Sequence, residues 1–169
     1  MIQDSSTIVF FGTSRFSVIV LEELKKAGIM PELVVTAPDT PQGRKLILTP
    51  PPVKAWAQEN GVKFLQPQKL DDSFIGQLSK VNAQLFLLAS YGKIIPQKVL
   101  DLPQHGTLNV HPSLLPKYRG PSPIQSQILA DDKNVGVSII LLDEKMDHGP
   151  IVASTQYTGE STQLSLIHI

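Results

Sequence analysis

The chain has 169 residues, of which 41% are hydrophobic and 18% charged, with 15 basic residues balanced by 15 acidic ones. This composition fits a folded domain with its own core and excludes a disordered chain, and the zero net charge excludes a generally basic nucleic-acid coat protein. The absence of cysteine excludes disulfides, thiolate metal sites and a cysteine nucleophile.

The first half of the chain alternates short apolar runs with helical patterns. The first twelve residues, MIQDSSTIVFFG, have neither a basic segment nor a long apolar stretch, so we expect a cytoplasmic protein without a membrane anchor. The run TIVFF predicts a buried strand over 7–11, and apolar spacing predicts a helix over 16–27 that ends before Gly28. Further strands are predicted over 33–36, 63–65 and 84–89, and helices over 53–60 and 71–81.

The second half continues the alternation. Strands are predicted over 107–111, 135–142 and 151–157, a helix over 123–130, and a turn over 159–162. Such alternation is typical of βαβ units, so we predict an α/β fold with a Rossmann-like, mostly parallel sheet and helices on both faces. Because the chain ends on the apolar residues LSLIHI, we expect it to be truncated at its C-terminus.

Two proline-rich loops interrupt this pattern. The first covers residues 37–52 and contains Gly43, Arg44 and Lys45; a loop of this length in a compact α/β chain is usually functional or disordered. The second, HPSLLPKYRGPSP over 111–123, follows a predicted strand and precedes a helix. Ligands of open parallel sheets bind beyond the carboxyl ends of strands, where this second loop is expected to lie.

Common cofactor motifs are incomplete or missing. In FFGTSRF, Ser14 occupies the position where G-x-G-x-x-G requires its second glycine, and Asp39 is only a loose candidate for the ribose-binding acid. The sequence has no phosphate-binding loop motif, no H-E-x-x-H and no G-x-S-x-G. Its four histidines lack the spacing of metal ligands, so we predict no metal.

A polar set remains near the second loop. Asn109 and His111 lie two apart on a predicted strand and therefore share a face, and Asp147 follows the 135–142 strand in DEKMDHGP. An amide can donate to an oxyanion, an imidazole exchanges protons near neutral pH, and a carboxylate can orient that imidazole. Together they suit nucleophilic addition to a carbonyl or formyl carbon. Each side chain also has an ordinary structural explanation, as a loop anchor, a strand-end histidine or a turn residue.

Five segments resemble one enzyme family across residues 6–157. They are LNVHPSLLPKYRGPSPIQ (108–125), GVSIILLDEKMDHGPI (136–151), FFGTSRFSVIVLEEL, TAPDTPQGRKLILTPPPVKAWA and LLASYGKIIP. The chain is thereby identified as similar to the 10-formyltetrahydrofolate-dependent formyltransferases, above all their tRNA-directed branch. The resemblance implies that residues 1–169 form a catalytic domain of the formyltransferase fold, C-terminally incomplete, without the smaller β-barrel domain that follows it in that branch.

The resemblance also implies roles for the polar set. In the tRNA branch, the α-amine of methionine on charged initiator tRNA attacks the formyl carbon of 10-formyltetrahydrofolate directly. Asn109 and protonated His111 would stabilise the tetrahedral oxyanion. Asp147 would position His111 and help move the proton from the amine towards N10 of the folate.

Binding residues follow from the same resemblance. Folate contacts are expected from Ser113, Leu114, Leu115, Pro116, Leu88, Tyr91 and Asp143. Ordinary packing is an equally open interpretation of Leu88 and Tyr91. Arg44 and Lys45 would contact the acceptor end of the tRNA, in a salt-dependent way.

Other functions remain open at this point. Formyltransferases that act on glycinamide ribonucleotide or an amino sugar share the Asn, His and Asp, and a related hydrolase uses water instead of an amine. An inactive folate-binding fragment is the alternative from another class. We expect initiator methionyl-tRNA and folate as partners, no membrane, and a monomer.

Overall fold

A computed structural model describes residues 7–143 and 145–158. The chain divides into two compact units, Met1–Thr107 and Leu108–Ile169. The predicted turn over 159–162 and the apolar tail lie outside the described residues. No helix in the described ranges is both long and apolar enough to cross a bilayer.

The first unit alternates strands with helices. Its elements are β1 (Ile8–Gly12), α1 (Arg15–Lys26), β2 (Leu33–Val35), β3 (Thr40–Gln42), β4 (Ile47–Thr49), α2 (Pro52–Glu59), β5 (Lys63–Leu65), α3 (Asp72–Ser79), β6 (Leu85–Ala89) and α4 (Gln97–Leu100). Four of these strands form a parallel sheet in the order β5-β2-β1-β6. In its register, Phe10 on β1 lies opposite Val34 on one side and Leu87 on the other.

Both faces of this parallel sheet are covered by helices. Val9 and Phe11 of β1 belong to one buried cluster with Phe74 and Leu78 of α3 and Val99 of α4. Because strand side chains alternate, the fully buried Phe10 and Val34 point to the opposite face. Leu21 of α1 and Val53 of α2 are likewise fully buried. The predicted α/β class, with helices on both faces of a parallel sheet, is confirmed.

The turn from β1 into α1 requires a glycine. A Cβ at Gly12 would lie 2.5 Å from the Phe10 ring and 2.7 Å from the Ser17 Cβ. The α1 N-cap is Ser14, whose hydroxyl accepts from the Ser17 amide at 3.4 Å. Ser17 in turn donates from Oγ to the Ala89 carbonyl at 2.6 Å, which fixes the helix against β6.

Two elements differ from the sequence prediction. Residues 37–52, predicted as a loop, contain an antiparallel hairpin in which Thr40 pairs with Thr49 and Gln42 with Ile47. Five of its six strand residues are exposed and none is buried, so the sequence shows no apolar alternation there. The short helix α4 was also not predicted, because one helical turn gives no apolar period.

The second unit is antiparallel. It contains β7 (Thr107–His111, which begins at the last residue of the first unit), α5 (Pro123–Leu129), β8 (Asn134–Leu141) and β9 (Ile151–Thr158), with the strands in the order β7-β8-β9. Asn109 lies opposite Ile140, and His111 lies opposite Ser138. Ile124 of α5 packs on Val135 of β8, with Ile128 beside them. His111 therefore lies at the carboxyl end of β7, where the loop over 111–123 begins.

Candidate active site

The three predicted polar side chains meet in the second unit. Asn109 and His111 point to one side of β7, and Asp147 lies in the turn between β8 and β9. Oδ1 of Asp147 is 3.3 Å from Nδ2 of Asn109, which donates to it, and 3.6 Å from Nδ1 of His111. All three are buried, with only 6%, 4% and 8% of their surfaces exposed, respectively. Low solvent exposure strengthens every charge interaction within the group.

Asp147 is held by its own backbone and by a neighbouring loop. Its φ of 49° lies in the left-handed region, which non-glycine residues rarely adopt. Its second oxygen, Oδ2, accepts from the Gly120 amide at 2.8 Å. A Cβ at Gly149 would lie only 1.7 Å from the Leu141 carbonyl oxygen, so this turn cannot close with a larger residue.

His111 faces an oxygen atom at each ring nitrogen. Its Nε2 lies 3.0 Å from the carbonyl oxygen of Tyr118, and its Nδ1 faces the carboxylate of Asp147. A carbonyl can only accept, so Nε2 is the donor of the first contact. An imidazole with protons on both nitrogens satisfies both neighbours, which suits a group that stabilises negative charge.

The loop that follows His111 is held by hydrogen bonds to backbone atoms. Ser113 is fully buried and donates from Oγ to the Lys117 carbonyl at 2.7 Å. Ser138 of β8 donates to the Ser113 carbonyl at 2.8 Å and accepts from the Leu115 amide at 3.0 Å. The Ser113 hydroxyl is therefore engaged within the loop.

Three of the other residues predicted to bind folate lie on the same loop, and Leu114, like Leu115, is half-buried. The Leu114 side chain lies so close to Gly136 that a Cβ there would be 2.5 Å from it. Leu115 is half-buried and Pro116 exposed. The loop therefore has apolar side chains, at Leu114, Leu115 and Pro116, next to a backbone that hydrogen bonds hold in place.

Asp143 lies in the same turn as Asp147 and is already paired. Its Oδ2 is 2.8 Å from Nδ1 of His148, and its Oδ1 accepts from the Lys145 amide at 2.8 Å. The hydrogen bond from His148, followed by that from Lys145, lowers the pKa of the Asp143 carboxyl. His148, which the sequence did not single out for this turn, thus holds the carboxylate of a residue predicted to bind folate.

Leu88 and Tyr91 belong to the hydrophobic cluster of the first unit. Leu88 is partly buried against it, and the Tyr91 ring packs edge-on against Phe11 with centroids 5.5 Å apart. The Tyr91 hydroxyl is buried and has no hydrogen-bond partner among the described residues. Burial raises the pKa of Tyr91 to about 12. These contacts favour the packing interpretation of both residues.

Arg44 and Lys45 lie in the turn of the β3–β4 hairpin and are exposed. The neighbouring Leu46, Ile47 and Leu48 are 72%, 62% and 64% exposed, so the turn region offers apolar and basic groups together. At the base of the hairpin, Lys54 of α2 donates to both carboxylate oxygens of Asp39, at 2.9 and 2.7 Å. Both oxygens of Asp39 are therefore engaged by Lys54, and Oδ1 also accepts from Gln66, which argues against a ribose-binding role.

Sequence reasoning missed the residues that support the polar group. Tyr118 and Gly120 act through a backbone carbonyl and a backbone amide, which carry no side-chain signature. Gly120 has a φ of 105°, a conformation that favours glycine, so the glycine at this position was the one sequence feature that could have indicated a special loop backbone. Within the described residues, no three histidine or acidic side chains come together as a metal site.

Comparison with known proteins gives a consistent result. The family model described as "Formyl transferase" matches residues 6–159. The methionyl-tRNA formyltransferase of Thermus thermophilus is 46% identical to this chain over 86% of its length. That of Thermodesulfovibrio yellowstonii is 44% identical over 88% of its length. Each match covers 48% of the relative. The chain thus spans about half the length of the curated relatives that it matches.

The solved structure of phosphoribosylglycinamide formyltransferase from Bacillus halodurans has the same fold. It superposes with a TM-score of 0.73 over 96% of this chain and 87% of that one, at 22% sequence identity. At that identity, the likeness describes the fold alone.

Proposed function

This chain belongs to the formyl transferase family, and from that premise we propose that it carries the catalytic domain of a methionyl-tRNA formyltransferase. The proposed reaction transfers the formyl group of 10-formyltetrahydrofolate to the α-amine of methionine on initiator tRNA, in the cytoplasm. Relatives of that name are 43–46% identical to this chain. The observation that carries the proposal is the buried carboxylate of Asp147, shared by Asn109 and His111.

The proposed chemistry is one addition followed by one elimination. The lone pair of the α-amine forms a bond to the formyl carbon, and the carbonyl electrons move onto oxygen. When they return, the bond between carbon and N10 breaks. The amine loses one proton and N10 gains one, so that a formamide and tetrahydrofolate leave. No covalent bond to the protein is needed.

Each member of the buried group has a part in this scheme. The amide of Asn109 has a second hydrogen besides the one given to Asp147, and that hydrogen would donate to the oxyanion. The two N–H groups of His111 face Asp147 and the Tyr118 carbonyl, so the ring would stabilise the same oxyanion through its positive charge. Asp147 would accept the proton from the attacking amine and keep the ring oriented.

We also propose the substrate contacts. The loop residues Ser113, Leu114, Leu115 and Pro116, with Asp143, would hold the folate, and Leu88 and Tyr91 remain candidates from the first unit. The hydrogen bonds through Ser138 support this role, because they fix the loop backbone beside which a pterin would lie. Arg44 and Lys45 would contact tRNA phosphates from their exposed turn. Residues 1–169 would act as one catalytic domain and as a monomer.

A competition between acceptors tests this function. The chain is incubated with labelled 10-formyltetrahydrofolate and equal concentrations of methionyl initiator tRNA, glycinamide ribonucleotide and an amino sugar, with hydrolysis measured alongside. We expect the label on methionyl-tRNA. Preferential label on another amine, or release as formate, would contradict the proposed substrate. Folate binding without any transfer would contradict the proposed enzyme.

A further inference from the structure

We propose that Tyr118 and Asp132 are positioning residues for His111: the hydrogen bond between their side chains fixes the loop segment whose backbone holds the His111–Asp147 pair. The inference rests on the proposed function, because it concerns the residue placed at the reacting group.

Tyr118 is bound to the site at one end and to Asp132 at the other. Its carbonyl oxygen lies 3.0 Å from Nε2 of His111, and its hydroxyl donates to Oδ2 of Asp132 at 2.9 Å. Its φ of 56° lies in the left-handed region, an unfavourable backbone for a tyrosine. A conformation of this kind persists when other contacts impose it, and the hydroxyl provides one.

Asp132 is in turn fixed by its neighbours. It lies between α5 and β8, where its Oδ1 accepts from the Asn134 amide at 2.9 Å. Oδ2 also accepts from Lys117 at 3.2 Å, although the Lys117 side chain is 61% exposed. The contacts from Asn134, Tyr118 and Lys117 lower the pKa of Asp132, so the acceptor of the Tyr118 hydroxyl is a carboxylate at neutral pH. Hydrogen bonds to a charged acceptor are stronger than neutral ones.

Residues 118–120 hold both members of the catalytic pair. The Tyr118 carbonyl faces His111, and two residues later the Gly120 amide donates to Oδ2 of Asp147 at 2.8 Å. A shift of this short segment would therefore move the imidazole and the carboxylate together. The Tyr118–Asp132 bond acts on that segment indirectly: within the described residues, the hydroxyl of Tyr118 bonds to Asp132, and only the Tyr118 backbone faces His111.

The direct test is the imidazole NMR signal of His111 in Tyr118→Phe, which removes only the hydroxyl. In the parent protein, we expect a protonated, slowly exchanging Nε2–H on His111, assigned from its loss in His111→Asn. In Tyr118→Phe, we expect the proton to exchange about tenfold faster with solvent, the effect of losing one charge-assisted hydrogen bond. An unchanged His111 signal would overturn the proposal. This measurement needs no substrate, so it stands or falls apart from the proposed function.

Lys117→Met is the matched control. It removes the other side-chain donor to Oδ2 of Asp132 and leaves Tyr118 in place, so the His111 signal should not change. An equal change in Lys117→Met and Tyr118→Phe would overturn the assignment to the Tyr118 hydroxyl.

Kinetics provide the second readout. We expect Tyr118→Phe to lower kcat for formyl transfer about tenfold while KM for both substrates stays unchanged. Asp132→Asn should have a similar effect, and the double variant should be no slower than the worse single one, because both changes remove the same bond. Additive losses, or a raised KM with unchanged kcat, would contradict a positioning role.

Discussion

Nδ2 of Asn109 donates to Oδ1 of Asp147 at 3.3 Å, across 38 residues of sequence and inside the protein. The same oxygen faces His111, and the other oxygen of that carboxylate accepts from Gly120. One carboxylate therefore has contacts to three groups from β7 and the loop that follows it. The position of the polar side chains therefore depends on the backbone of the 111–123 loop and of the turn that carries Asp147. Each of these contacts can be tested separately.

Gly120→Ala should destabilise the protein although there is room for the methyl group. No atom lies within 4 Å of a Cβ at Gly120, but its φ of 105° is a conformation that alanine strongly disfavours. We expect a loss of about 1–3 kcal/mol in the free energy of unfolding, measured by urea denaturation. Gly76→Ala is the control: it lies in α3 with equally open space, and should gain up to about 1 kcal/mol. Equal effects at both glycines would contradict the argument from φ.

Tyr91→Phe should stabilise the protein. It removes a buried hydroxyl that has no partner among the described residues and keeps the ring that packs on Phe11. We expect a gain of about 1 kcal/mol at neutral pH. Tyr118→Phe is the contrasting variant and should cause a loss, because that hydroxyl is bonded to Asp132. A loss in Tyr91→Phe, together with weaker folate binding, would instead favour direct contact with the substrate.

Tyr91 should also make the stability of the protein depend on pH in the alkaline range. Its pKa is raised from 10.0 to about 12 in the folded protein, so the folded state keeps a proton that the unfolded state has lost. Stability that is complete below pH 10 should therefore fall as the pH rises towards 12. Denaturation at pH 9 and pH 11 measures this loss, and it should be smaller in Tyr91→Phe. A loss of the same size in both proteins would show that Tyr91 is not its cause.

Asp39 should stabilise the protein only while it is ionised. Hydrogen bonds from Gln66 and then Lys54 lower its pKa from 3.8. A carboxyl with a lowered folded pKa contributes stability above its unfolded value and loses it as the pH falls through the folded one. Asp39→Asn should therefore be less stable than the parent at pH 7, with the difference shrinking in acid below pH 3.8. A difference that persisted unchanged in acid would contradict this assignment.

Arg44→Ala combined with Lys45→Ala should weaken tRNA binding without affecting folate. If each side chain neutralises one phosphate, the slope of log K against log salt should fall by about 2. Filter binding of methionyl-tRNA at several salt concentrations measures it. Lys63→Ala, another exposed cation whose partner is Glu32, is the control. Equal loss of folate and tRNA affinity would contradict a role for the hairpin in tRNA binding.

Periodicity predicts the elements that have at least a partly buried side. Strands β5 and β7 begin and end where the apolar pattern places them, and Asp71, read as the start of a helix, is the N-cap of α3. The β3–β4 hairpin is not predicted by periodicity, because none of its six strand residues is buried. Its turn depends on positive φ at Gly43 and Leu46, and a leucine gives no warning of that conformation.

The candidate site could be predicted from the sequence only in part, and for a different reason. Asn109 and His111 follow from their spacing on one strand, and Asp147 from the turn composition and the family resemblance. The partners that hold them, the Tyr118 carbonyl and the Gly120 amide, are backbone groups that every residue possesses. Which backbone group faces the site depends on loop conformation, and hydrophobic pattern contains no information about it.

The most direct test of the central claim is formyl transfer from 10-formyltetrahydrofolate to methionyl initiator tRNA, measured for the parent chain, His111→Ala and His105→Ala. His105 is exposed and lies outside the buried group, so its replacement controls for loss of a histidine as such. We predict transfer by the parent and by His105→Ala, and a rate at least about 100-fold lower for His111→Ala, with folate still bound. Transfer by His111→Ala at the parental rate would contradict the claim that the Asn109–His111–Asp147 group performs the reaction.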